Sequence, residues 1–229
     1  METRLEDLLR PDAIKGRCLV MWSGGLDSTW TLYTLLRKTK LEIYTHHVNK
    51  KSRTDDGHEI SHSLDYERQA IRRLQPWMAE NVRGFEHSES FTDLTAFTTF
   101  ARDMVTGVFF AAQAARSWGF TARDYIFMGS NGDEDETNST EEHQVVRAEY
   151  NMISYRYVLQ SVFESDRTPE ITWITPAPSR LEEVTSLPKD VVERTACCRN
   201  PKPNESNGFV PCKTCKTCVS LARHLPEYA

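Results

Sequence analysis

Arg17-Cys18-Leu19-Val20-Met21-Trp22, followed without a break by Ser23-Gly24-Gly25-Leu26-Asp27-Ser28-Thr29, is the stretch on which the fold turns. The first six residues are a short, mostly apolar run of the kind buried on both faces of a parallel sheet. Trp30, Leu32, Tyr33, Leu35 and Leu36 then recur at helical spacing. The order is therefore strand, glycine turn, helix. Ser23, Gly24, Gly25, Leu26, Asp27, Ser28 and Thr29 offer what an anion cradle needs: glycines that let the backbone approach a ligand, hydroxyls that donate to phosphate oxygens, and a helix start near Asp27 with unpaired N–H groups. The turn reads as a pyrophosphate pocket. It has neither the lysine of a G-K-[ST] phosphate loop nor the glycine spacing of a dinucleotide fingerprint. Its plainest structural reading is a tight Gly24-Gly25 turn into a helix capped by Asp27 or Ser28.

Working outward, a strand is expected over Leu41 to Val48 and a long amphipathic helix over Ser61 to Glu80, with Leu64, Ala70, Ile71 and Leu74 inward. Further strands are expected over Val82 to Glu86, Asp124 to Met128 and Ile171 to Thr175, with helices over Met104 to Trp118 and Glu142 to Phe163. Trp77, Trp118 and Trp173 read as core. Such alternation predicts an α/β fold: a Rossmann-like parallel sheet with helices on both faces, over residues 1–188. The polar stretches Asn49 to His58 and Gly129 to Glu142 follow predicted strands, and ligands of open parallel sheets bind beyond the strands' carboxyl ends. The second stretch holds six acidic residues between Asp133 and Glu142, of which Glu134 or Asp135 is a candidate magnesium ligand. His46, His47, His58 and His62 read as solvated loop histidines.

With 39% hydrophobic and 27% charged residues in a chain of 229, the composition is that of a globular protein with one sizeable core. A formal charge of -5 argues against binding duplex nucleic acid by charge neutralisation. Neither an apolar export segment nor a run long enough to span a bilayer is visible, so the chain reads as cytoplasmic with no membrane partner.

Of six cysteines, Cys197, Cys198, Cys212, Cys215 and Cys218 crowd into one C-terminal segment, 189–229. In a reducing compartment that pattern points to metal binding. Cys212-x-x-Cys215-x-x-Cys218 turns tightly enough to place three thiolates on one ion. Cys197 or Cys198 supplies a fourth, making a tetrahedral zinc site, although an iron–sulfur cluster takes the same four thiolates.

Ser23-Gly24-Gly25-Leu26-Asp27-Ser28 resembles the PP-loop signature of the adenine nucleotide alpha-hydrolase superfamily of ATP pyrophosphatases. With the C-terminal C-x(n)-C-x-x-C-x-x-C, the chain is similar over nearly its whole length to 7-cyano-7-deazaguanine synthases of the queuosine and archaeosine pathways. His47-Val48-Asn49, His62-Ser63-x-x-x-Glu67-x-x-Ala70, Thr175-Pro176 and Thr195-x-x-Cys198 also match that family's pattern, the last favouring Cys198 as the fourth ligand. The resemblance implies that the PP-loop binds ATP and Mg2+, with Asp27 and Ser28 catalytic and Asp27 linked to the magnesium. It also implies roles for His47 and Gly129 near substrate or ATP, and a homodimer. The implied reaction adenylates the carboxylate of 7-carboxy-7-deazaguanine and captures it with ammonia, then repeats the activation on the amide to give the nitrile.

Val105-Thr106-Gly107-Val108-Phe109-Phe110 stands where the family carries Pro-Gly-Arg-Asn, and Arg180 where it carries a lysine. The acceptor therefore admits alternatives: a protein amine, as in synthase-like enzymes of antiviral defence systems; a tRNA base; or none, in an inactive nucleotide-sensing scaffold.

Overall fold

The computed structural model describes residues 3–4, 16–51, 62–96, 103–129, 153–164, 167–175, 177–198, 200–204 and 208–225. Along the chain they form β1 (Thr3–Arg4), β2 (Arg17–Met21), α1 (Leu26–Lys38), β3 (Glu42–Lys51), α2 (His62–Asn81), β4 (Glu86–Asp93), α3 (Asp103–Ser117), β5 (Tyr125–Phe127), α4 (153–162), β6 (Glu170–Thr172), β7 (Ile174–Thr175), α5 (Arg180–Ser186), α6 (Lys189–Val192), β8 (Lys202–Pro203), β9 (Phe209–Val210) and α7 (Lys216–Ala222). Five strands make one sheet in the order β4-β3-β2-β5-β6. Every neighbouring pair in it is parallel.

Alternation along β2 divides the interior in two. Cys18 and Val20 join Leu32, Leu35 and Leu36 of α1 and Ala70, Ile71, Leu74 and Met78 of α2 on one face. Leu19 and Met21 join Val108, Ala111, Ala112 and Ala115 of α3, and Tyr155 and Leu159 of α4, on the other. A strand with side chains packed on both faces must be apolar throughout, which is why Cys18 to Met21 reads as an unbroken apolar run. The Rossmann-like expectation is met. Chain order reverses between β2 and β5, and in open parallel sheets it is at such a switch point, beyond the strands' carboxyl ends, that ligands bind.

The opposite end of the sheet is held by Arg17. Its guanidinium donates to the carbonyls of Trp118 and Gly119 (2.8 and 2.7 Å) and pairs with Asp124 at 2.8 Å, while lying 4.7 Å above the Phe120 ring centroid. Gly119, at φ +67°, ends α3 in the left-handed conformation, and Phe120 N–H reaches back to the Ala115 carbonyl at 2.9 Å.

Several elements differ from the sequence expectation. Val82 to Phe85 is a turn, because the N–H groups of Val82 and Arg83 both fold back onto the Met78 carbonyl. The strand lies beyond it, in the polar run Glu86–Asp93, an edge strand whose side chains are only partly covered. The last strand is two: β6 joins the main sheet, and after Trp173 the chain moves over so that β7 pairs with β1. His46 and His47 are buried within β3, which runs to Lys51, and are not solvated loop residues. Trp77, Trp118 and Trp173 sit half-buried at the margins of the two clusters. The side chain of His62 and the residues His58, Glu134 and Asp135 lie outside the described residues, as does the N-terminal part of the helix expected over Glu142 to Phe163. Among the described residues, no helix is long and apolar enough to cross a membrane.

Burial disfavours the Asp124 carboxylate, but hydrogen bonds from Arg17 and the Thr121 N–H outweigh that and hold its pKa below the ordinary value. A carboxyl with a depressed folded-state pKa stabilises above its unfolded pKa, and that stability is lost as pH falls through the folded value. Asp124→Asn is expected to cost about 1–3 kcal/mol at neutral pH and to flatten the loss of stability below about pH 4, as read by urea unfolding across pH.

Candidate functional site

Trp22 and Ser23 carry the chain out of β2 into the crevice. Gly24 takes φ +74°, a conformation that disfavours any side chain. Space is tight as well: a Cβ there would lie 3.1 Å from the Glu67 carbonyl oxygen and 3.1 Å from the Ile71 side chain, so α2 rests directly on the turn. Gly25 is the N-cap of α1 and provides no side-chain cap. The helix starts at Leu26, and neither Asp27 nor Ser28 caps it, contrary to the plain structural reading of the turn.

Ser28 instead turns back across the loop. Its hydroxyl donates to the Gly25 carbonyl at 3.2 Å, accepts from Ser23 N–H at 3.3 Å and lies 3.1 Å from Ser23 Oγ. Two hydroxyls therefore face each other at the positive end of the α1 dipole. Thr29 is buried behind them and accepts from the Trp22 indole N–H at 3.0 Å. Gly129 closes the crevice from β5: a Cβ on it would come within 2.8 Å of Ser28 N and 2.9 Å of Ser28 Cα. The strand end and the helix start are thus in backbone contact.

Asp27 projects from the first turn of α1 and is paired by Arg180, whose Nη1 lies 2.5 Å from Asp27 Oδ1 and 2.7 Å from Glu183 Oε2. Arg180 and Glu183 are 4% and 0% exposed. Burial works against the guanidinium's charge, and the two carboxylates outweigh it and raise its pKa. The short helix α5 that presents Arg180 is fixed by a capping box between Ser179 and Glu182. Sequence reasoning singled out Arg180 only as a substitution, and Glu183 not at all. Its signal is the i, i+3 spacing of an arginine and a glutamate on one helix turn.

A second arrangement adjoins the turn. The sulfurs of Cys198, Cys212, Cys215 and Cys218 all lie within 4.8 Å of one another. The Cys212 N–H donates to Cys198 Sγ at 3.2 Å, and Cys215 N–H to Cys212 Sγ at 3.3 Å. Burial pushes the Cys212 thiol up, but hydrogen bonds from Thr214 and the Cys215 N–H outweigh it and bring the pKa to about 6. Four convergent sulfurs, already served by N–H donors as thiolate ligands are, can hold a metal such as zinc.

Cys197 is no part of that cluster. Its Sγ lies 2.8 Å from Thr195 Oγ1 and takes a hydrogen bond from the Leu26 N–H, and burial raises its pKa to about 12. The neighbouring Ala196 N–H donates to the Gly24 carbonyl at 2.7 Å. Adjacent cysteines thus serve two places, one the glycine turn and one the metal cluster.

His47 lies beside the turn, with Nδ1 3.2 Å from the Trp22 carbonyl. Its Nε2 lies 3.9 Å from Glu67 Oε2, and on the neighbouring strand Glu89 is met by Asn49, Arg68 and His87, contacts mostly unforeseen from sequence. The signal available was two-residue spacing: Thr45, His47 and Asn49 on one strand, His87 and Glu89 on the next, make a polar stripe facing α2.

No family model matches the chain, and no curated protein matches it.

Two outcomes are expected of this geometry. Gly129→Ala pushes a methyl into the start of α1, and should cost about 1–3 kcal/mol in unfolding experiments. Elemental analysis should find about one zinc per chain in wild type and in Cys197→Ser. Cys198→Ser and Cys215→Ser should lose the metal and much of their soluble yield.

Proposed function

We propose that the chain is an ATP pyrophosphatase of the PP-loop kind that activates the carboxylate of a 7-deazaguanine and passes it to an amine. The observation that carries this reading is the glycine turn at the sheet's switch point. There a helix start with no side-chain cap from Gly25, two facing hydroxyls and the closely approaching Gly129 make an anion cradle, with a carboxylate, Asp27, in the same helix turn. The resemblance of Ser23 to Ser28 to the PP-loop signature supports the same choice.

In this reading the β- and γ-phosphates of ATP sit against Ser23, Ser28 and the α1 N–H groups. The substrate carboxylate oxygen attacks the α-phosphorus, the bond to the bridging oxygen breaks, and pyrophosphate leaves into the cradle. The amine nitrogen then attacks the acyl carbon, AMP departs and the nitrogen sheds a proton. A second activation, on the amide oxygen, would convert the amide to the nitrile. Preorganised N–H and hydroxyl donors favour such a step because charge gathers on the leaving pyrophosphate as it forms. Asp27 is the residue that would hold magnesium, which neutralises phosphate charge when bound. Its ion pair with the buried Arg180 fixes one of its carboxylate oxygens. The cysteine cluster is assigned a structural zinc, fully ligated and without an open position for substrate.

Asp27→Asn and Ser23→Ala should each abolish pyrophosphate release from ATP, magnesium, 7-carboxy-7-deazaguanine and ammonium, while circular dichroism and zinc content stay unchanged. Full turnover in both would reject the assignment. Mass spectrometry of the products decides the acceptor: an amide or nitrile base identifies ammonia, and a mass-shifted protein identifies a protein amine.

A further inference from the structure

Arg180 serves two carboxylates through one nitrogen. Its Nη1 lies 2.5 Å from Asp27 Oδ1 and 2.7 Å from Glu183 Oε2. The pair with Asp27 alone would be neutral and would already match the buried cation with an anion. Glu183 goes beyond that need. An i, i+3 ion pair on a helix ordinarily keeps its charges in solvent, where it contributes little, yet the Glu183 side chain is 0% exposed. Two carboxylates and one guanidinium leave the group of three with one negative charge, held largely out of water.

An excess negative charge is out of place here unless a cation joins it. Asp27 stands in the first turn of α1, in the same turn as Ser28, whose hydroxyl faces that of Ser23 in the anion cradle, and a carboxylate there repels phosphate. Only one of its oxygens is engaged. Oδ1 is taken by Arg180, whereas Oδ2 has no partner among the described residues, and the side chain is 31% exposed. A divalent cation at Oδ2 is drawn by the carboxylate and repelled by the guanidinium behind it. Against a neutral Asp27–Arg180 pair the two effects nearly cancel. The charge of Glu183 restores a net attraction, and a buried charge is screened less than one in water.

We propose that Glu183 is a positioning residue that offsets the charge of Arg180, so that Arg180 can fix Asp27 Oδ1 without repelling a divalent cation brought to Oδ2 with the nucleotide phosphates. This deepens the function proposed above and rests on its reading of the glycine turn as a nucleotide cradle and of Asp27 as a cation ligand. The sign of the effect follows. Without the charge of Glu183, a metal-free phosphate chain meets one negative charge fewer and binds as well or better. The metal-bound chain loses an attraction and binds less well. Damage to the fold would instead weaken both.

The test reads binding rather than turnover. The zinc-loaded full chain is titrated with α,β-methylene-ATP, whose α–β link cannot be cleaved. Metal-free binding is followed by calorimetry, and binding of the Mn2+ complex by the enhanced water-proton relaxation of protein-bound manganese. Glu183→Gln should weaken binding of the manganese complex about tenfold and leave the metal-free affinity unchanged or raised. Arg180→Met with Glu183→Leu removes one charge of each sign and refills the space with apolar side chains. That double variant should bind the manganese complex within about threefold of wild type, and it decides the matter if Glu183→Gln does not fold. Equal binding of the manganese complex by Glu183→Gln and wild type, an equal loss with both forms of the analogue, or a greater loss in the double variant overturns the role of Glu183. Wild type that binds the analogue in neither form rejects the nucleotide cradle itself, and this role with it.

Discussion

The central strand β2 must satisfy two interiors at once. Cys18 and Val20 face α1 and α2, Leu19 and Met21 face α3 and α4, and no position in that run can turn polar without opening one side or the other. Because β2 is clamped on both faces, the point where it ends is fixed to within the tolerance of a packed core. The glycine turn inherits that precision. Gly24 under α2 and Gly129 against Ser28 are the places where neighbouring elements touch the turn; Gly24 suits its left-handed backbone, and at Gly129 the contact leaves no room for a methyl. A turn built on a rigid strand end and braced from both flanks holds its hydroxyls and N–H groups in one arrangement.

The polar stripe beside the turn is a second consequence of parallel pairing. Strand β3 continues past the end of β2, pairing with β4 as far as Lys51, so its last residues have a neighbour on one side only. Freed from covering β2, the positions after His46 can carry His47 and Asn49 toward α2 without sacrificing core. The stripe thus lies where the sheet's outline steps back.

Much of this was legible before any coordinates. The apolar run into Ser23 to Thr29 located the strand, turn and first helix because burial on both faces and helical spacing both leave strong patterns. The cysteine triplet located the four-sulfur cluster because thiolates at that spacing have few other uses than holding a metal. What escaped notice has a common cause. Strand β4 is an edge strand of Glu, His and Ser, and its pairing is made by backbone rather than by apolar side chains, so hydropathy does not mark it. His46 and His47 read as solvated because polarity usually means exposure; here His46 is held by the hydroxyls of Ser88 and Ser90, partners forty-odd residues away that only register can supply. Arg180 meets Asp27 across 153 residues, a contact invisible to any local window.

Cys197 and Cys198 are joined by a single peptide, yet one sulfur receives the first N–H of α1 and the other belongs to the four-cysteine cluster. Consecutive Cα atoms stand about 3.8 Å apart, so the two centres have no slack between them. Cys198, Cys212, Cys218 and Leu221 also lie in the same apolar cluster as α1 and α2. The C-terminal cysteine segment is therefore not a module that recombination can trade for another of similar length. Any exchange has to preserve the register of one dipeptide, which ties the history of the tail to that of the loop it touches.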